Sequence, residues 1–506
     1  MPVLQDEQQL ATNLLGDAYP YWWFNGGQVH WAHYADRAME EFPLRQRCVD
    51  PVAVLSVFSF EYICLDRTMI QGLRRLPWRG SIDSDGVVRY AAAPPHGQKE
   101  ASAAEIADGF YRRYRRELLG YVDGYDQIYL LLSGGMDSRV MAGTLRQLER
   151  EGRIDAPIET VTWGLRDSRD VVYAEQLSDH FGWKWNYAPL SAEHYWNNFE
   201  LGALALGAEI DPKHLHRMDW FESAPENSLV LAASYGDSVG RTEYSSKHLL
   251  DVSPLEPADR DHILKPEVYR EARDKLRSDI LEIRSRHGSR HTTGWLELER
   301  QIHYMRRHLC PAMNIINRWA DLKQSFVSPE IFGYMWSFKP ECRTDDVYTE
   351  VLKNVGGELL DVPWARTGVR YNSDDTAATD ELRKGFHRYG YWLRTEHTDK
   401  IHDLLFDGTL RRLDIFDMQQ IHWLFDEWQR EEDEHDTSLC TELSSLAALS
   451  LVANRYELQA PDEPPTTTHD LRDKLKHQVH RQTSRASQLL RRKSRPWRLR
   501  ARKLFS

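Results

Sequence analysis

The apolar run Gln127-Ile-Tyr-Leu-Leu-Leu132 passes directly into Ser133-Gly134-Gly135-Met136-Asp137-Ser138, and a helical pattern follows. The run is too short for a helix core and ends on two glycines, so it predicts a buried strand, a tight turn and a helix over Ser138–Glu151. The alternation continues with a strand at Glu159–Trp163, a helix at Val171–Phe181, a strand at Trp185–Ala188 and a further buried strand at Ser228–Ala233. Strands alternating with helices specify an α/β fold, a parallel sheet with helices on both faces. An amphipathic helix over Ala101–Leu119 opens this unit, its apolar residues Ile106, Phe110, Tyr114 and Leu118 recurring at three-to-four-residue spacing. Beyond Ala233 the pattern is largely helical to about Tyr456.

The loop itself carries chemistry. Two glycines allow a sharp turn with N–H groups pointing inward, Ser133 and Ser138 add hydroxyl donors, and the helix N-terminus adds partial positive charge. That set binds phosphate; a plain strand–turn–helix connection uses the same turn residues. Asp137 inside it would repel a phosphate unless a divalent cation lies between, which points to Mg²⁺ on a polyphosphate. No P-loop string with its lysine and no G-x-G-x-x-G follows a strand, which disfavours kinase and dinucleotide chemistry.

The 506 residues are enough for two to four domains, and three regions are expected: 1–100, 101–458 and 459–506. The first is a small α+β region, with a hairpin about Gly26-Gly27, a helix from Asp50-Pro51 to Phe60, and strand-like residues about Asp85-Gly86. The last is a Pro/Thr-rich linker and a basic tail. Between Leu471 and Ser506 thirteen Lys/Arg face one acid, a local net of +12, which leaves −24 on the rest of a chain of net −12. Such a tail suits nucleic acid, an anionic surface or the acidic body of a second copy. No stretch approaches the roughly 18 apolar residues of a membrane span, and the N-terminus lacks a secretory pattern, so a cytoplasmic protein without a transmembrane segment is expected. Five scattered cysteines support neither a disulfide framework nor a zinc site.

Leu-Leu-Leu-Ser-Gly-Gly-Met-Asp-Ser-Arg resembles the pyrophosphate loop of the ATP pyrophosphatases (HUP-like folds), and in particular the synthetase domain of asparagine synthetases and their relatives. Similar patches follow in order: Thr160-Val-Thr-Trp-Gly-Leu with Asp170 and Tyr173-Ala174; Ala232-Ala-Ser-Tyr-Gly236-Asp237; Ala320–Glu330; and Trp364-Ala-Arg366-Thr-Gly368. The resemblance implies an ATP-dependent ligase that adenylates a carboxylate, releases pyrophosphate and passes the acyl group to ammonia or an amine. It implies that Ser133, Gly134, Gly135, Asp137 and Ser138 hold the β and γ phosphates, that Asp137 and Asp237 hold Mg²⁺, that Leu132, Trp163 and Gly236 bound the nucleotide, and that Arg366 is the cation steadying charge in both steps.

Two positions depart from the family pattern: Arg366 stands for a lysine, and Ser234 for the glutamate of the acidic loop, so another group must take the amine's proton. Lys213, His214, His216 and Arg217 lie where the family recognises its acid, although surface histidines fit the sequence as well. Asp66–Pro77 is similar to the family's glutaminase, yet the chain begins Met1-Pro2 without the required N-terminal cysteine. Glutamine hydrolysis is therefore not expected, and nitrogen would come from ammonia, an amine already on the substrate, or a separate amidotransferase. Two other readings are RNA or nucleobase modification on the same fold, hinted at by the tail, and a nucleotide binder without catalysis.

Overall fold

The computed structural model describes residues 9–12, 19–236, 256–287, 292–374, 378, 380–431 and 438–461. Asp237 and the basic tail lie outside the described residues.

The front region forms two small antiparallel sheets. In one, β1 (Gln9–Ala11) pairs with β5 (Gly80–Asp83), which pairs with β6 (Val88–Tyr90). In the other, the hairpin β2 (Tyr21–Asn25) and β3 (Gln28–Ala32) is joined by β4 (Arg74–Arg75). Helix α1 (Ala35–Glu41) is followed by α2 (Pro51–Phe60), whose N-cap Asp50 accepts the Val52 N–H and whose proline sits in the first turn. Helix α2 is apolar on nearly all sides because it is enclosed. Its residues share one buried cluster with Leu443, Leu446, Ala447, Leu449 and Val452 near the C-terminus. Front and rear thus meet in a common core.

Helix α3 (Ala103–Val122) begins on a capping box in which Ser102 and Glu105 satisfy each other's backbone N–H groups. A five-stranded parallel sheet follows, in the order β11-β10-β7-β8-β9. Its strands are β7 (Gln127–Leu131), β8 (Ile158–Gly164), β9 (Lys184–Pro189), β10 (Ser228–Ala232) and β11 (Asp321–Gln324). Helices α4 (Met136–Arg150), α5 (Arg169–Phe181) and α6 (Ala192–Leu206) connect or follow the first three. The period of two assigns the faces. Ile128, Leu130, Leu229 and Leu231 enter the core shared with α3 and α4, whereas Tyr129, Val230 and Ala232 enter the opposite one with Ala205, Leu206, Ile315 and Ile316.

Every strand expected from sequence in this sheet is present within a residue or two. The edge strand β11 is an addition. Asp-Leu-Lys-Gln carries only one apolar residue, so no hydrophobic run announces it. It is fixed by its register with β10, Leu322 opposite Val230 and Gln324 opposite Ala232. The stretch Arg300–Leu309 is π-helical and sends Arg306 and Arg307, both fully buried, toward carbonyls of the front region at Leu76, Leu65 and Arg67. No helix among the described residues is long and apolar enough to cross a membrane.

Candidate active site

From β7 the chain steps through α4 to β8 and through α5 to β9, then returns to add β10 on the other side of β7. The strand order therefore reverses at β7, and the crevice outside the carboxyl ends of β7 and β10 is where open α/β sheets place ligands. A cavity of ≈ 320 Å³ lies there. It is lined by the end of β7 (Leu131, Leu132, Ser133), the loop (Gly135, Asp137, Ser138), the end of β8 (Val161, Thr162, Trp163) and the end of β10 (Ala232, Ala233, Ser234), with Asp170, Met313 and Phe386 completing it.

The loop is held by its own side chains. The Gly135 N–H donates to the Ser133 hydroxyl at 3.1 Å, and the Ser133 N–H to the Ser138 hydroxyl at 3.3 Å. The Asp170 carboxyl lines the same cavity, and burial pushes it up to about 6, the backbone N–H of Gly134 pulling the other way. Gly134 itself is a contact that no side chain could occupy, since a Cβ there would lie 2.7 Å from the Ala365 Cβ and 3.2 Å from that of Tyr173. The Ala365 N–H in turn donates to the Gly134 carbonyl at 3.1 Å.

Arg139 explains why these segments stay together. Fully buried, it donates from one nitrogen to the carbonyls of Leu359 and Val362 at 2.8 and 2.6 Å, and from another to those of Gly134 and Pro363 at 3.2 and 3.0 Å. Burial pushes its guanidinium down to about 9, the Tyr173 hydroxyl opposing. The first turn of α4 is thereby tied to a segment more than two hundred residues later in the chain.

Of the residues selected from sequence, Leu132, Ser133, Gly135, Asp137, Ser138 and Trp163 line the cavity together, while Gly134 and Gly236 pack behind it. A Cβ on Gly236 would run into the carboxylate of Asp137, so the backbone at Gly236 after β10 rests directly on the aspartate of the turn. Arg366 is exposed, its guanidinium 5.5 Å from the Trp364 ring, and is not among the lining residues. Ser234 does line the cavity, and its N–H donates to the Gln324 side chain at 3.3 Å.

Sequence reasoning missed the roles of four residues. Asp170 was read only as part of a resemblance; it stands in the first turn of α5, just after a cavity-forming strand, which was an available signal. Arg139 follows Ser138 immediately but no local pattern shows its distant carbonyl partners. Phe386 reaches the cavity because its carbonyl accepts the Leu165 N–H at 2.8 Å just beyond β8. His216, for which a surface position fitted the sequence, is half-buried, at a backbone φ of +47°. Its ring lies between Trp163 (5.7 Å, 21°) and Tyr389 (5.8 Å, 22°), with Phe386 edge-on at 5.4 Å and Nδ1 2.8 Å from the Tyr389 hydroxyl. Burial, then His387 and Lys213, lower its pKa to about 3, so the imidazole is neutral at ordinary pH.

The fold and the cavity define an α/β protein with a glycine turn at the switch point of a parallel sheet. The asparagine synthase family model matches residues 126–205, the stretch that runs from β7 through α6. Glutamine-hydrolysing asparagine synthetases are similar over part of the chain: that of Pongo abelii is 38% identical over 69 residues, 14% of this chain and 11% of the relative. The Homo sapiens protein is 36% identical over 69 residues, with the same coverage, and the Bos taurus protein 38% over 56 residues, 11% of this chain and 10% of the relative. The chain thus matches about a tenth of the length of these relatives, and there it is asparagine synthetase-like.

Proposed function

We propose that the protein is an ATP-dependent carbon–nitrogen ligase of the ATP-pyrophosphatase type. The observation that carries this is the coincidence, in one cavity, of the asparagine synthase-like loop, Asp137 and the ends of β7, β8 and β10. Ser133, Gly135 and Ser138 receive the β and γ phosphates, and the apolar end at Trp163 and Phe386 receives the adenine. Asp137 supplies a hard oxygen to Mg²⁺, which suits a metal that takes few protein ligands and completes its shell with phosphate and water. Bound Mg²⁺ would offset negative charge on the phosphates.

A substrate carboxylate oxygen attacks the α-phosphorus, the bond to the bridging oxygen breaks and pyrophosphate leaves. An amine nitrogen then attacks the acyl carbon, AMP departs, and the nitrogen gives up a proton. The nitrogen source is free ammonia, an amine on the substrate, or a separate amidotransferase. The buried state of Cys48, Cys64, Cys310 and Cys440 supports this over hydrolysis of glutamine by the chain itself; burial pushes the Cys64 thiol up to about 12.

Phosphorus NMR of the protein with ATP, Mg²⁺, hydroxylamine and a panel of carboxylic acids tests the reading. AMP, pyrophosphate and a hydroxamate are the expected products; ADP and phosphate, or unchanged ATP with every acid, refute it.

A further inference from the structure

Where the front region meets the π-helical stretch, the chain buries three guanidiniums around one tyrosine ring. Arg75 comes from β4, Arg306 and Arg307 from Arg300–Leu309, and Tyr19 from the approach to β2. The Arg75 guanidinium lies 4.2 Å from the centre of the Tyr19 ring, that of Arg306 4.6 Å and that of Arg307 5.9 Å. Arg75 also lies 3.9 Å from the centre of the Tyr21 ring. No more than 3% of Arg75, Arg306, Arg307, Tyr19 or Tyr21 is exposed. Ring faces attract cations but do not neutralise them.

The counter-charge at this cluster is too small. Among the described residues Glu209 is the one carboxylate paired with any of the three arginines, 2.9 Å from Arg307 and 3.4 Å from Arg75. Arg306 has no acidic partner: its Nη2 donates to the Leu76 carbonyl, while its Nε and Nη1 have no hydrogen-bond partner. Asp66 acts on Arg306 only through space, so even with both acids ionised one positive charge is left over. Burial, then Arg307, push the Arg306 guanidinium down only to about 10, and it remains a cation at neutral pH. Three further buried donors lack a partner, Arg307 Nε, Arg75 Nη1 and the Tyr21 hydroxyl, against one unpartnered carboxylate oxygen, Glu209 Oε1. Burial raises the pKa of the Tyr21 hydroxyl, which therefore keeps its proton to donate. Unpaired charge and unmade hydrogen bonds are both unfavourable in a protein interior, and such a cluster persists where something completes it.

We infer that this cluster is a binding site for a small monovalent anion of halide size, held by Arg306 with further donors from Arg75, Arg307 and Tyr21. The excess charge sets the valence and the enclosure sets the size. A water molecule would take the hydrogen bonds but leave the charge. The cluster shares no residue with the lining of the cavity at the ends of β7 and β10, so the inference does not depend on nucleotide chemistry. The walls of the site define what the ion does. Arg75 belongs to a sheet of the front region, and Arg306 and Arg307 already donate to the front-region carbonyls of Leu76, Leu65 and Arg67. The bound anion joins the front region to the helical segment behind it.

Thermal unfolding of the full chain at fixed ionic strength, with chloride exchanged for gluconate, tests the site. Wild type should gain stability saturably, by roughly 2 °C at ten times the dissociation constant, as linkage implies. Arg306→Met keeps most of the volume without the leftover charge and should abolish the chloride dependence. Tyr21→Phe removes one donor and keeps the ring, so the half-saturating chloride concentration should rise about tenfold, as loss of a hydrogen bond to an ion implies. That variant carries the test if Arg306→Met does not fold. Crystals of wild type grown in bromide should show an anomalous-scattering peak among Arg75, Arg306 and Tyr21. No chloride effect in wild type, or an effect that does not saturate or is the same in both variants, overturns the site. So does a bromide crystal with only water at the cluster.

Discussion

The two ends of the cavity are chemical opposites. One is a six-residue turn, Ser133–Ser138, made of hydroxyls, amides and a carboxylate; the other is a wall of rings, Trp163 and Phe386 in front and His216 and Tyr389 behind, with Met313 beside them. The first is polar, the end to which the proposed function assigns the ions, and nearly all of its parts are contiguous in sequence. The second excludes water and is assembled from β8, the segment after Pro212 and the approach to the helix Tyr389–Glu396. A group that must be charged needs fixed donors close together along the chain, whereas a neutral wall needs only complementary shapes from anywhere.

Breaking the ionic end should cost most. Asp137→Ala is expected to lower AMP formation by about 10²–10³, the usual effect of removing a charge-stabilising group, measured by product assay under saturating ATP. A near-normal rate would mean that the turn does not place the metal.

Arg139→Met removes four bonds from a buried guanidinium to backbone carbonyls. Urea unfolding should show a loss of about 2–3 kcal/mol, at the level of hydrogen bonds to charged groups. Stability within a few tenths of wild type would show that the Leu359–Pro363 segment is tied to the turn by other means.

Gly236→Ala separates the two ends. The nearest atoms its methyl group meets all belong to Asp137, so Mg²⁺–ATP analogue binding should weaken by about tenfold, a modest misplacement of one ionic group, while adenosine binding is unchanged. Equal losses for both ligands would contradict the division.

The smallest effect belongs to the imidazoles. His216 and His303 have pKa values lowered to about 3 and His308 to about 4, in each case chiefly by burial. An unfolded histidine titrates near 6.5, so protons bind the unfolded chain first. The stability these neutral rings confer is complete above about pH 6.5 and is lost as pH falls toward 4 and 3. His303→Gln, which keeps an acceptor for the Leu65 N–H, should move the acid-unfolding midpoint to lower pH by a few tenths of a unit; an upward shift would show that the ring is charged in the native state.

The same contrast explains what could be read in the sequence. The parallel sheet was legible because β7 and β10 are apolar runs and β8 is rich in β-branched and aromatic residues, all bounded by glycine or turn residues, and the polar end of the cavity because its glycines, serines and aspartate are adjacent. Edge strand β11 was not, because its hydrogen bonds to β10 rather than its side chains make it a strand. Asp170 was visible as a residue but not as part of the cavity wall, a position that exists only once α5 packs beside the turn. The half-buried position of His216 depends on Tyr389, 173 residues away, and no local pattern carries that information.

The claim on which the rest depends is that the turn at Ser133–Ser138 takes the β and γ phosphates. Calorimetric titration of wild-type protein, with Mg²⁺, by α,β-methylene-ATP and by AMP tests it directly. The triphosphate should bind on the order of a hundredfold more tightly, as charge-assisted bonds to two further phosphates imply, and Asp137→Ala should erase most of that preference. Equal affinity for AMP and the triphosphate would contradict the account.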